Sequence, residues 1–178
     1  MAHGDQYQYC LKIKSAYPDR FDNCSVLDIG SLDINGNNRH LFSNYSYVGV
    51  DIGPGNNVDV ICKGHEYKSD KQFDIVISTE CFEHDKFYED TISNAISLTK
   101  SGGMFLFTCA TTGRAEHGTR NSGSAWASPH SNIEFEDYYK NLTQEDVEKI
   151  EGFKSAFSEY SFETNEHSKD LYFYGIKK

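Results

Sequence analysis

The chain of 178 residues has no run of lysine and arginine, no paired CxxC cysteines and no apolar stretch long enough to cross a bilayer. Each lack excludes a class of protein. The formal net charge is −10 and the sequence pI is about 5.1. Such a surface repels phosphate backbones, and without a basic patch to offset it no nucleic acid is expected as a partner. The five cysteines (Cys10, Cys24, Cys62, Cys81, Cys109) are scattered, which fits free thiols in a reducing compartment better than a disulfide framework or a zinc site. The first residues, MAHGDQYQYC, lack the charged-then-apolar order of a secretory signal. With a mean hydropathy of −0.62, the expectation is a cytoplasmic protein with no membrane partner. The formal glycosylation sequons at Asn23, Asn44 and Asn141 then carry no weight. Repeats, low-complexity tracts and linkers are also missing, so one domain spanning 1–178 is expected.

What is there is an alternation of short apolar strands with amphipathic or polar segments. Val26–Ile29, Tyr47–Ile52, Val58–Cys62, Phe73–Ser78 and Met104–Ala110 read as strands buried on both faces, which favours a parallel sheet covered by helices. Gln6–Tyr17 reads as a leading helix ended by Pro18. Asp85–Thr99 reads as a helix between strands, stopped by Gly102–Gly103. Thr143 with Asp146 forms the pattern of a capping box opening a helix through Val147 and Ile150. Ser158–Phe162 and Leu171–Ile176 read as a closing antiparallel pair.

The first strand leaves through SVLDIGSLDINGNNR, a polar loop with Gly30 and Gly36. A glycine turn at the carboxyl end of such a strand lets backbone approach a ligand closely, although an ordinary strand-to-helix turn looks similar. Asp51 ends the YVGVDI strand roughly 20 residues further on, where nucleotide-binding folds place a carboxylate for the ribose hydroxyls. A carboxylate accepts two hydrogen bonds side by side, which suits a vicinal diol. A solvated strand-end aspartate is the competing reading.

VLDIG at Val26–Gly30, YVGVDI at Tyr47–Ile52, FDIVISTECFEH at Phe73–His84 and LTKSGGMFLFT at Leu98–Thr108 together resemble a class I S-adenosylmethionine-dependent methyltransferase. The turn is D-I-G-S-L-D-I-N-G rather than the familiar D-x-G-x-G-x-G, and it resembles a small subgroup with a G-S-x-D-x-N-G variant. The resemblance implies an α/β/α three-layer sandwich, Rossmann-like, with a mostly parallel seven-stranded sheet and an antiparallel C-terminal hairpin. It implies S-adenosyl-L-methionine as cofactor, with Asp28 and Gly30 under its amino-acid half. Ser31, Leu32 and Asp33 would join them in the turn. Asp51 would hold the ribose and Ile52 would lie against the adenine. Gly64 and His65 would pass the adenine edge, and Thr79 and Glu80 would close the pocket. Lys63 stands where many relatives carry an aspartate for the adenine amino group, and a lysine cannot accept that bond. His3, in the HGDQ start, would fold over the cofactor, or else belong to a disordered terminus.

Methyl transfer needs proximity and alignment, and a hydroxyl acceptor also needs a base. The segment 111–141 follows the fifth strand without steady periodicity and reads as an acceptor-side lid or loop. Within it His117 is the first choice for general base, against a surface histidine. Glu116 stands beside it, and Arg114 and Arg120 would clamp an acidic group on the acceptor or be solvated charges. Trp126 would stack on a sugar or anchor the loop, and Tyr138 and Tyr139 would wall the acceptor site or pack the loop. His84 reads as a satisfied structural histidine at a helix start, with reach into the pocket as the alternative, and His130 as structural or exposed. Glu116, Glu134, Glu136 and Asp137 have metal-binding oxygens but no spacing that demands a metal, so no metal site is expected.

The expected activity is methylation of a small molecule or saccharide, at oxygen, with a homodimer left open. GRAEHGT and DYYKNLT resemble glycan-modifying enzymes, which favours the saccharide. Two rivals remain: a catalytically inactive cofactor-binding scaffold subunit, and an NAD-dependent oxidoreductase on a similar sheet.

Overall fold

The structure, a computed structural model, describes residues 4–178; His3 lies outside the described residues. The chain opens with helix α1 (Gly4–Ala16), which buries Gln6, Tyr9, Cys10 and Ile13 at helical spacing. A 3-10 turn at Pro18–Phe21 follows, since proline cannot continue the ladder. Strands β1 (Ser25–Ile29), β2 (Ser46–Asp51), β3 (Val60–Ile61), β4 (Phe73–Thr79) and β5 (Thr99–Ala110) then run parallel. The hairpin β6 (Phe157–Asn165) and β7 (Asp170–Lys177) inserts β7 antiparallel to β5. The sheet order is β3-β2-β1-β4-β5-β7-β6, the mixed seven-stranded sandwich expected.

Both faces of the sheet are covered. On one, α1 and the turn residues Phe21, Leu41 and Phe42 pack over Val26, Ile75, Ile77 and Leu106. On the other, α2 (Tyr88–Leu98), α4 (Gln144–Glu148) and α5 (Phe153–Ala156) pack over Leu27, Val76, Phe105 and Phe173. The intervening short helix, α3 (Ser131–Glu134), lies within the 111–141 segment. The helical layers are thin: only a 3-10 turn, Arg39–Leu41, joins β1 to β2. Thr143 and Asp146 form the capping box at the start of α4.

Two local readings differ. Gly102–Gly103 does not stop the preceding helix. Helix α2 ends at Leu98, and Thr99 turns extended at once, its hydroxyl donating to Ala95 O at 2.8 Å. The glycines lie inside β5, where Gly102 has φ +74° and the register with β4 shifts between Phe73 and Ile75. They form a bulge, and a side chain on Gly103 would meet Asp74 O at 2.9 Å. The Val58–Cys62 strand shrinks to the two residues of β3, an edge strand whose Ile61 is largely exposed. The other edge, β6, presents Ser158, Glu159, Ser161, Glu163 and Thr164 to its surroundings rather than apolar side chains.

Candidate active site

Strand order reverses between β1 and β4, and the carboxyl ends of these strands open into a cleft of about 890 Å³ including its mouth. This is the position at which open α/β sheets take ligands. Four elements supply its walls. The turn after β1 brings Gly30, Ser31 and Leu32, the end of β2 brings Asp51 and Ile52, and the end of β4 brings Thr79, Glu80 and Cys81. The segment 111–141 covers the remaining side with Ala127, Ser128, Pro129, Ser131 and Phe135.

The turn after β1 is fastened to β2 by backbone. Gly30 N–H and Ser31 N–H both donate to Val50 O, at 2.9 and 3.1 Å, and Leu32 N–H donates to Asp51 Oδ2 at 3.1 Å. Gly30 has φ +78°, and a Cβ there would stand 2.4 Å from Cys81 Sγ. The turn therefore crosses the end of β4 at a spacing only glycine permits. Gly30→Ala is expected to cost about 2 kcal/mol through the left-handed backbone and the collision. Thermal melting should then fall by roughly 4–8 °C; an unchanged melting temperature would refute the close crossing.

Asp28 is buried at the bottom of the cleft. Its Oδ2 accepts from Tyr47 OH and, at 3.4 Å, from Asn38 Nδ2, while its Oδ1 has no partner. Burial pushes its carboxyl up to about 7, against the lowering effect of Tyr47 and Asn38. Ser31 Oγ is also buried without a partner and lines the same cleft. Asp51 is raised above the ordinary carboxylate range by burial, opposed by backbone N–H groups of Leu32 and Gly53.

A second cluster lies beyond Glu80, which takes the left-handed φ of +52° at the end of β4. The 3-10 turn Phe82–His84 follows and buries both Glu83 and His84. Neither oxygen of Glu83 and neither ring nitrogen of His84 finds a hydrogen bond among the described residues. His117 arrives from the far side, its Nε2 3.9 Å from Glu83 Oε1 and its ring 5.1 Å from that of His84. Its Nδ1 lies 3.2 Å from both Ala115 O and Tyr139 OH. Burial lowers His84 to about 3 and lowers His117, so both imidazoles are held neutral. Burial also raises the Glu83 carboxyl, reinforced by the neighbouring Glu80. His84 lines the cleft, so cleft and cluster share a wall.

A methyltransferase-domain family model matches residues 1–146. The chain belongs to that methyltransferase-domain family. Its fold is that of the class I S-adenosylmethionine-dependent enzymes. Across 97% of its length it is similar to a Burkholderia thailandensis 1,6-didemethyltoxoflavin-N1-methyltransferase, solved with 1,6-didemethyltoxoflavin and S-adenosylhomocysteine, at 15% identity, TM-score 0.64 and 78% of that chain. The N-methyltransferase NodS of Bradyrhizobium japonicum, solved with S-adenosylhomocysteine, matches 97% of the chain at 12% identity, TM-score 0.62 and 86% of its own length. A Haemonchus contortus phosphoethanolamine N-methyltransferase, solved with S-adenosylmethionine, matches 93% at 18% identity and TM-score 0.61, over 52% of its length. A comparison with curated protein sequences gives no match.

The methyltransferase's cofactor, S-adenosylmethionine, fits the cleft on its own chemistry. Asp28 Oδ1 is an orphaned acceptor for an ammonium, Ser31 Oγ an orphaned hydroxyl for a carboxylate, and Asp51 a strand-end carboxylate for a diol. Gly64 also lines the cleft, where a Cβ would strike Thr91 Cγ2 at 2.5 Å. Of the residues expected to hold the cofactor, Asp28, Gly30, Ser31, Leu32, Asp51, Ile52, Gly64, Thr79 and Glu80 line the cleft.

Asp33 and His65 are outside that lining. Asp33 accepts from Gly36 N at 2.7 Å and Asn37 Nδ2 at 2.8 Å, so it shapes its own turn. His65 packs against Phe87, with ring centroids 4.5 Å apart and the planes tilted by 42°. Lys63 reaches across to Glu134 of α3 at 2.8 Å instead of facing the cofactor.

On the acceptor side the structure regroups the residues. Arg114 donates to Ser168 O and lies 3.4 Å from the buried Asp170, so it anchors the segment to the β6–β7 turn and is no clamp at the cleft. Glu116 accepts from Thr119 Oγ1 at 2.5 Å within its own loop. Arg120 pairs with Asp137 at 2.5 Å, and Glu136 pairs with Lys86 at 3.4 Å. With Glu134 on Lys63, the acidic residues of this segment are spread over separate partners rather than gathered round a cation. Trp126 is 61% exposed and anchors nothing to the core. His130 rests over Gly53 with Nε2 3.0 Å from Pro54 O, joining the segment to the loop after Asp51. Sequence reasoning missed Asn38, Cys81 and Asp85, which line the cleft, and misjudged His84, whose nitrogens are unsatisfied.

Proposed function

We propose that this methyltransferase is catalytically active and methylates a hydroxyl oxygen of a small acceptor, with a saccharide as the favoured class. The observation that carries the reading is the cluster of buried Glu83, buried His84 and half-buried His117, which shares a wall with the cofactor cleft. A hydroxyl must shed a proton as its oxygen is methylated, and the neutral His117, with Nδ1 facing Ala115 O, leaves its Nε2 lone pair to receive it.

S-adenosylmethionine supplies a methyl group on a sulfonium, a good leaving group. Asp28, Ser31 and Asp51 bind and orient the donor from three sides. The segment 111–141, as an acceptor-side lid, excludes water from above. His117 receives the hydroxyl proton as the oxygen gains the methyl and the C–S electron pair stays on sulfur. Tyr139, against both histidine rings, fixes the His117 ring. The exposed face of Trp126 supports a sugar ring as acceptor, as does the resemblance of GRAEHGT and DYYKNLT to glycan-modifying enzymes.

The test is calorimetric titration with S-adenosylhomocysteine, followed by an acceptor screen read by mass spectrometry. Micromolar or tighter cofactor binding with methylated hydroxyl products is expected. Turnover confined to amines would refute the oxygen assignment. Binding without turnover on any acceptor would return the scaffold reading.

A further inference from the structure

Glu83 is fully buried, yet no lysine or arginine of the described residues pairs with it, and both its oxygens lack a hydrogen bond. Among the described residues, the nearby cations are engaged elsewhere: Arg114 with Asp170, and Lys140 with Tyr88 OH and Asp146. A buried carboxyl and a buried imidazole with two unsatisfied nitrogens each carry a desolvation cost. Side by side, they indicate a common partner. A cation that binds ligands accepts electron pairs from an oxygen and two imidazole nitrogens at once.

We propose that Glu83, His84 and His117 bind a divalent first-row transition-metal ion whose open positions face the cleft. One ligand atom from each of the three lies within 4.8 Å of the others. Zinc held tetrahedrally at its usual bond lengths sets its ligands about 3.4 Å apart. Two histidines and one carboxylate favour zinc, iron(II), cobalt(II) or manganese(II) over the all-oxygen sites of calcium and magnesium. The outer contacts agree with a ligand role. His117 Nδ1 stands 3.2 Å from Ala115 O. Donation there places the proton on Nδ1 and leaves the Nε2 lone pair aimed at Glu83. The three ligands leave at least one coordination position for a group from the cleft, where His84 already forms part of the wall.

The role of the ion rests on the methyltransferase reading: it would hold the acceptor oxygen beside the methyl donor and ease loss of its proton. Metal binding itself does not rest on that reading, and the test separates the two. Full-length protein stripped with a chelator is titrated with cobalt(II), followed by its visible absorption, and with zinc by calorimetry. One equivalent is expected, at micromolar affinity or tighter. Glu83→Gln and His117→Gln are each expected to weaken zinc binding about 10–100-fold and to alter the cobalt spectrum. S-adenosylhomocysteine affinity, measured on the same samples, serves as the check on folding. If the folded wild-type protein binds no metal, or if both variants bind it as tightly with an unchanged spectrum, the site is refuted. Cofactor binding without metal binding leaves the methyltransferase reading intact and makes the cluster a metal-free proton acceptor. Metal binding without cofactor binding does the reverse.

Discussion

Replacing Asp51 by alanine is expected to weaken S-adenosylhomocysteine binding by 100-fold or more while leaving the fold intact. The carboxylate ends β2 at the wall of the cleft and is positioned by the Leu32 N–H at 3.1 Å, so its orientation is set before any ligand arrives. Two charge-assisted bonds to a ribose diol, at about 1.5–3 kcal/mol each, amount to two or more decades of affinity. Titration calorimetry reads the loss. The asparagine variant keeps the shape and one acceptor oxygen, and an intermediate loss is expected for it. Affinity within threefold of wild type for the alanine variant would remove Asp51 from the ribose.

Cofactor affinity is expected to fall steeply below neutral pH, through Asp28. In the empty protein burial lifts this carboxyl to about 7, whereas in an unfolded chain it ionises near 4. Between those values the folded protein holds a proton that the unfolded chain has lost. The apo protein therefore loses stability as pH rises through this window, by up to about 1.4 kcal/mol per unit from this group. An ammonium placed on Asp28 Oδ1 reverses the preference, because it favours the ionised form. Binding then expels the proton and strengthens as pH rises, levelling off above about 7. The dissociation constant should be at least tenfold weaker at pH 5.5 than at pH 7.5. Calorimetry in buffers of different ionisation enthalpy should show proton release. A flat affinity with no proton released would show that the ammonium sits elsewhere.

The sheet was legible because its strands are apolar on both faces, a pattern that only a sheet covered on two sides explains. The place of Asp51 at the cleft was legible from its spacing beyond the glycine turn, at the end of a strand. The glycine pair at 102–103 misled because helix stop and strand bulge use the same residue for the same freedom of φ. What decides between them is the pairing of Thr99 with Phe73, a non-local contact. Arg114 and Glu116 misled for another reason. Glu116 stood beside His117 and Arg114 read as an acceptor clamp, but Glu116 accepts from Thr119 in its own loop, and Asp170, which takes Arg114, lies 56 residues away. The unsatisfied nitrogens of His84 were beyond sequence altogether. Whether a buried histidine finds partners depends on every element packed around it, and among the described residues none supplies one.

The two ends of the sheet carry a consequence for how the molecule behaves in concentrated solution. An open strand edge invites another chain to extend the sheet, and from there to polymerise. Strand β3 offers two residues of edge, too short to seed such growth. Strand β6 offers nine, but Glu159 and Glu163 stand along it, tied to Tyr17 and Lys12 of the neighbouring layer. A second copy approaching either edge meets brevity at one and like charge at the other. Self-association of this protein is thereby steered away from fibrils, and any pairing of subunits must be made by side chains on its faces rather than by backbone.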